Sequence, residues 1–197
     1  MNASSSERKK FNSSALFTAS GVVCSVLYLT YQFVAPAFRK VCIPYLPATT
    51  KHLENLSRIT SKHKLRGPIL DMGSGDGRVL FHLAKTSPHF GIYHGIELNR
   101  VLVAWSAFQR LFTVKNSQAS VRFYCRDMWR YPIEPYNTVV IFGTESMAEP
   151  TTQKISSELK PGSHLISARF PLLEQSNIRL IDKVDEEVDA LYLYQIK

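Results

Sequence analysis

The sequence predicts an open α/β sheet, mainly parallel and covered by helices on both faces, and three observations carry that prediction. From residue 67 onward, short apolar strands alternate with stretches of helical apolar spacing, the pattern of a doubly wound sheet. The first three strands each end in an acid: Asp71, Glu97 and Asp127. Between the first strand and its helix lies Gly73-Ser74-Gly75-Asp76-Gly77, a loop with glycine at every second position.

In order, the chain divides into a polar start (residues 1–10), an uncharged run (11–38), a basic stretch (39–66) and the sheet domain (67–197). The uncharged run is 28 residues long. At about 1.5 Å per residue, a helix of that length exceeds a hydrocarbon core of about 30 Å. It is longer than the apolar region of a secretory signal and lacks the arginines of a mitochondrial presequence. The run reads as a retained membrane-anchor helix, best over 15–35 and diluted by Thr18, Ser20, Ser25, Thr30 and Gln32. A buried helix of the soluble fold is the alternative. Residues 39–66 carry seven Lys/Arg against Glu54 alone, which suits either anionic lipid or a solvated basic helix. Within them, 44–50 is an extended lead-in, Thr50 an N-cap, and Leu53, Leu56 and Ile59 the side of a helix that packs on the domain.

In the sheet domain the first strand ends at Asp71, and Val79, Leu80, Leu83 and Ala84 give the following helix its apolar face. Residues 91–97 form the second strand. Val101, Ala104, Trp105, Phe108, Leu111 and Phe112 then make a helix with a wide apolar face, read as packing on the sheet. The third strand leads from Val121 to Asp127, and 137–143 is an apolar fourth strand. A helix over 147–159 ends at Pro161-Gly162, a fifth strand runs over 163–170, and 178–182 with 190–196 make the last two.

The formal charge is +8, but its distribution argues against a nucleic-acid partner. Residues 1–66 hold ten Lys/Arg against two Asp/Glu, whereas 67–197 hold fourteen of each. A balanced domain lacks the broad basic face that nucleic acid demands. Cys24, Cys42 and Cys125 form no C-x-x-C pair and read as free thiols, and the six histidines show no metal spacing, so no metal site is expected.

Glycines at 73, 75 and 77 let the backbone take positive φ and let a ligand approach without meeting a Cβ. A dinucleotide fingerprint reads G-x-G-x-x-G, whereas the third glycine here comes one residue early. Asp71 is awkward beside a pyrophosphate and suits a ligand with a positive end. S-adenosylmethionine is such a ligand, carrying a sulfonium and an α-amino group and no phosphate. Glu97 stands where a carboxylate holds ribose hydroxyls, and Asp127 with the Met128 N–H stands where adenine would be met. Together these residues resemble the seven-strand, class I S-adenosylmethionine-dependent methyltransferases, whose Rossmann-like sheet ends in an antiparallel strand.

A narrower resemblance covers residues 30–171. The segment Arg39-Lys40-Val41-Cys42-Ile43-Pro44-Tyr45-Leu46-Pro47-Ala48-Thr49-Thr50-Lys51 resembles the lead-in of a small family of mitochondrial protein-lysine methyltransferases. The same family has D-x-G-S-G-D-G-R, E-L-N, D-x-W and R-F-P, found here at 71–78, 97–99, 127–129 and 169–171. Its members act on the ATP synthase c subunit or on the adenine nucleotide translocase, and Val139-Val140-Ile141-Phe142-Gly143 is more similar to the c-subunit branch. The resemblance implies S-adenosylmethionine as cofactor and a lysine of the c subunit as acceptor. It also implies the mitochondrial inner membrane as location, with the catalytic domain toward the matrix. It adds Asp76 and Asn99 to the cofactor residues and lays Tyr45, Thr49 and Thr50 over the cofactor. Two departures stand out: Arg100 replaces a proline, and Leu191-Tyr192-Leu193-Tyr194 stands in place of a W-A-Y-D run.

Methyl transfer from a sulfonium requires a neutral amine at near-attack distance. A free lysine, with pKa about 10.4, must therefore lose its proton. Glu145, after strand four, is the candidate base; the same position suits an acid at a helix start. Phe142-Gly143-Thr144-Glu145 lacks the N-P-P-Y sequence of enzymes that methylate the amino groups of adenine or glutamine. The rival readings are a same-fold methyltransferase for the translocase, a small molecule or a lipid, and a non-catalytic cofactor-binding scaffold.

Overall fold

The computed structural model describes residues 13–34, 47–114, 119–184 and 189–197. Its helices are α1 (Ser13–Val34), α2 (Thr50–Lys62), α3 (Arg78–Thr86), α4 (Arg100–Thr113) and α5 (Ala148–Glu158). The strands are β1 (Ile69–Met72), β2 (Ile92–Glu97), β3 (Ser120–Cys125), β4 (Thr138–Phe142), β5 (His164–Ala168), β6 (Ile178–Val184) and β7 (Leu191–Ile196). They form one sheet in the order β3-β2-β1-β4-β5-β7-β6. The first five strands pair in parallel, and β7 runs antiparallel between β5 and β6. Chain order reverses between β1 and β4, which opens a crevice at their carboxyl ends, the place where such sheets take ligands.

The central strands are buried because helices cover both of their faces. Every residue of β1 is buried, and only the last residue of β4 is not. One face packs Leu56 and Ile59 of α2 and Leu80 and Leu83 of α3 against Ile69, Tyr93 and Val140. The other packs Met147 and Ile155 against Leu70, Met72, Ile141 and Phe170. The expected packing side of α2 is therefore present, but its N-cap is Thr49, one residue before the expected Thr50. Thr49 Oγ1 accepts from the His52 N–H at 3.1 Å and the His52 ring reaches back to the Thr49 N–H at 3.3 Å. This reciprocal box leaves Thr50 as the first helical residue.

Two expectations need correction. The first concerns the N-terminal run, which does form a helix, α1. However, no helix among the described residues is long and apolar enough to cross a membrane. Ser25 and Thr30 turn their hydroxyls back onto the Gly21 and Val26 carbonyls, which lets the helix tolerate them. The second concerns α4, whose apolar stripe was expected on the sheet and instead faces outward. Its one buried residue is Ser106, which donates to the Gly75 carbonyl at 3.1 Å. Arg110, on the same inner side, donates to the Val121 carbonyl at 3.1 Å. The inner side of α4 is thus held by hydrogen bonds to the loop and to the edge strand β3, and the aromatic side is left over.

Candidate functional site

The site begins where β1 stops. Gly73, Gly75 and Gly77 have φ of 81°, 53° and 80°, a region in which a Cβ is strained. The Gly73 and Ser74 N–H groups donate to the Ile96 carbonyl at 2.8 and 2.9 Å, tying the loop to the end of β2. Gly95 is needed for the same approach, since a Cβ there would lie 2.6 Å from Ser74 Oγ and 2.7 Å from the Phe123 ring. The loop is therefore a backbone cradle held from beneath by β2 and β3.

Asp71 is the chemically exposed feature of this cradle, although it is buried from water. Its Oδ2 has no hydrogen-bond partner. Burial, followed by the neighbouring charges of Glu97 and Asp76, pushes its pKa up to about 8. A buried carboxyl oxygen without a donor is costly, and its position at the carboxyl edge of the central strand leaves it for a ligand carrying N–H groups and positive charge. Glu97 is the opposite case. It accepts from Gly75 at 3.1 Å, Leu98 at 2.7 Å and Asn99 at 2.8 Å. A carboxylate has about four acceptor sites, so Glu97 is fixed in place and keeps capacity for a ribose hydroxyl. At the third strand, Asp127 accepts the Trp129 N–H at 2.9 Å. Met128 is buried, and its sulfur lies 3.9 Å from where a Cβ on Gly73 would stand. The structure thus brings Asp71, the three glycines, Glu97, Asp127 and Met128 to one rim.

Other expected site residues have supporting contacts. Asp76 pairs with Arg78, whose Nε lies 3.0 Å from both carboxylate oxygens and whose Nη2 lies 2.6 Å from one. Asn99 caps α4, its Oδ1 accepting from Val101 at 2.9 Å and Leu102 at 3.4 Å. Arg100 then occupies the first helical position, where the related proline would also be at home. The segment leading into Thr49 and Thr50 is tied to the start of α3, where Arg78 Nη1 donates to the Ala48 carbonyl at 3.2 Å. Thr49 Oγ1 also donates to Asp189 at 2.9 Å. Tyr45 lies outside the described residues. Glu145 is exposed at the start of a short 3-10 turn, Glu145–Met147, on the rim beyond β4.

Sequence reasoning missed Ser106, which holds the cradle from α4, and Asp189, which holds the lead-in. A lone serine inside the apolar run of α4 was a usable signal for the first. Nothing local marks Asp189. It also missed that Arg169, in the R-F-P motif, has φ of 75° and a buried Nε without a partner.

Residues 71–179 match the ANTKMT methyltransferase domain family. The chain is 38% identical over 182 residues to the ATP synthase c-subunit lysine N-methyltransferase of Caenorhabditis elegans, covering 90% of this chain and 93% of that one. To the Homo sapiens enzyme of the same name it is 37% identical over 159 residues, 79% of this chain and 65% of that one. The adenine nucleotide translocase lysine N-methyltransferase of Mus musculus is 27% identical over 190 residues, 90% of this chain and 76% of that one. Among solved structures, an RNA methyltransferase from Salinibacter ruber in complex with S-adenosyl-L-homocysteine superposes with a TM-score of 0.65 at 22% identity. That match covers 77% of this chain and 94% of that one, and it speaks for the fold alone.

Proposed function

We propose, from the premise that this chain belongs to the ANTKMT methyltransferase family, that it methylates a lysine of the ATP synthase c subunit. The chain is an S-adenosylmethionine-dependent methyltransferase with the seven-strand sheet of that class. The c-subunit acceptor is supported by the near full-length match to the worm enzyme, 38% identical over 93% of that protein. The mitochondrial inner membrane as location, with the catalytic domain toward the matrix, is part of the same proposal and rests on the motif resemblance.

The residues at the rim suit the cofactor, and the partnerless Asp71 oxygen is the observation that carries this fit. When bound, S-adenosylmethionine supplies an electrophilic methyl carbon on a cationic sulfur. Asp71 would take the positive amino end, Glu97 the ribose hydroxyls, and Asp127 with the Met128 N–H the adenine. The three glycines keep side chains out of the cradle. The acceptor lysine arrives as an ammonium ion, and desolvation at the rim favours its neutral form. Glu145 is the candidate group to receive the proton. A Glu145→Gln variant should then lose activity most at neutral pH and regain it as pH approaches the lysine pKa; equal loss at every pH would assign Glu145 a structural role.

The deciding experiment incubates the purified chain with methyl-labelled S-adenosylmethionine and mitochondrial membranes lacking the endogenous activity, beside a Glu97→Ala control. Label on the ATP synthase proteolipid, absent with the control, is expected. Label on the translocase or in extracted lipid would move the acceptor. Cofactor binding with no transfer would leave a scaffold.

A further inference from the structure

The outward stripe of α4 is long and aromatic. Trp105, Phe108, Leu111 and Phe112 are 50%, 53%, 56% and 70% exposed. The rings form a row, with centroids 6.1 Å apart from Trp105 to Phe108 and 5.2 Å from Phe108 to Phe112. A contiguous apolar surface of this kind on a soluble domain marks an interaction face.

Two observations identify what covers it. The first is charge: residues 98–126 hold five Lys/Arg and no Asp/Glu, although the sheet domain as a whole is balanced. Arg100, Arg122 and Arg126 are exposed. The aromatic row is therefore set in a locally basic edge of the sheet, complementary to an anionic surface. The second is continuity. Helix α1 comes alongside α4 and carries Phe17, Val22, Leu27 and Tyr31 at 63–83% exposure, within a run that has no charged residue.

We infer that the outer face of α4, together with α1, docks on an anionic phospholipid bilayer. The rings lie at the boundary of headgroup and acyl chain, and the arginines face the phosphates. This is the chemistry of an interfacial amphipathic helix, for which Trp and Phe are favoured at the boundary and Lys/Arg beside it. It also gives α1 a place in the same interface. A second copy of the chain is a poorer occupant, because a symmetric contact would bring two basic edges together. A single-stranded nucleic acid needs a groove that tracks its backbone, and a convex helix face offers none. The inference goes beyond the assignment of the acceptor lysine and stands without it. Its consequence for the site is spatial: α4 begins three residues after Glu97, so docking holds the cofactor rim near the membrane surface.

The test uses the full chain with phosphatidylcholine vesicles, alone and with about one third phosphatidylglycerol. Brominated acyl chains should quench a tryptophan component in the parent protein that is absent in Trp105→Phe, and only with the anionic vesicles. A Phe108→Gln/Phe112→Gln variant should bind these vesicles about tenfold or more weakly, with an unchanged melting temperature and unchanged S-adenosylmethionine binding. Equal quenching in Trp105→Phe, or vesicle binding that the double variant leaves intact, would overturn the inference and leave attachment to α1. A parent dimer that the double variant dissolves, with vesicle binding unaffected, would assign the face to a second copy. Binding of a single-stranded oligonucleotide that anionic vesicles fail to displace would assign it to nucleic acid.

Discussion

The units β1–α3 and β2–α4 are consecutive, each running from a strand through an acid into an amphipathic helix, and they differ in whether the apolar side of the helix faces the sheet. Of the nine residues of α3, Val79, Leu80, Phe81, Leu83 and Ala84 are buried; of the fourteen of α4, only Ser106 is. Helix α3 packs on the sheet beside α2, with Phe81 edge-on to Phe123 at 5.4 Å. Helix α4 lies toward the sheet edge, where β3 is the last strand. The acids differ in the same sense. Asp71, before α3, is buried with an oxygen that nothing meets, while Glu97, before α4, accepts three backbone N–H groups. Apolar spacing says that a helix has a face to cover, and topology decides whether the protein itself covers it.

The largest effect that should separate the two units is on stability. Leu83→Ala leaves a cavity between α2, α3 and the sheet and should cost about 2–5 kcal/mol in urea unfolding. A loss below about 1 kcal/mol would mean that α3 is not the packed member of the pair.

Next comes the pair of acids. Asp71→Asn should weaken S-adenosylmethionine binding by about 10–100-fold, the scale of a charge-assisted hydrogen bond. The pH dependence gives the sharper test. The pKa of Asp71 rises from 3.8 in the unfolded chain to about 8 in the folded protein, so the fold holds a proton that the unfolded chain loses. Raising pH through that window therefore costs stability, the reverse of a salt-bridged carboxylate. A cationic ligand favours the ionised form, so binding releases a proton and affinity should rise from pH 6 to pH 8 and flatten above. In Asp71→Asn that rise should vanish, and the ligand-free variant should melt about 3 °C or more above the parent at pH 9, an excess that shrinks as pH falls toward 3.8, below which the folded and unfolded parent both hold the proton. Calorimetric titration and thermal melts at the stated pH values read both arms. A parent affinity flat in pH would show that Asp71 does not meet the charge.

A smaller effect belongs to the α4 unit alone. Asn99→Ala removes the cap from the Val101 and Leu102 N–H groups of α4 and should cost about 1 kcal/mol. Cofactor affinity should fall by less than in Asp71→Asn, since Glu97 keeps its own bonds to Gly75 and Leu98. A cofactor loss as large as that of Asp71→Asn would make Asn99 a direct ligand.

Much of this is legible in the sequence alone. Strand 91–97 is expected where β2 runs over Ile92–Glu97, and 190–196 where β7 runs over Leu191–Ile196, because turn residues and apolar runs are local signals. The three acids and the glycine loop are legible for the same reason. What stays hidden depends on distant partners. Thr49 meets Asp189 across 140 residues, and no spacing rule reaches that far. Phe108 and Phe112 carry the same apolar signal as Leu80 and Leu83, and the outward turn of α4 depends on Ser106 and Arg110 finding carbonyls on the inner side. The lack of a partner at Asp71 Oδ2 is likewise a fact of three-dimensional surroundings, invisible in the residue's identity.

The smallest expected effect is the one that defines the α4 unit. Phe112→Gln replaces a ring that is 70% exposed at the last turn of α4. Little apolar area leaves the core, so unfolding free energy in solution should change by no more than about 0.5 kcal/mol. A Phe buried like Leu83 would lose several times that. The same substitution in both assays makes the contrast decisive: stability unmoved in buffer, with binding to anionic vesicles weakened, is what an externally covered face requires. If Phe112→Gln instead destabilised the free protein by about 2 kcal/mol or more, another part of the chain would cover α4 in solution, and the two units would differ only in which segment does the covering.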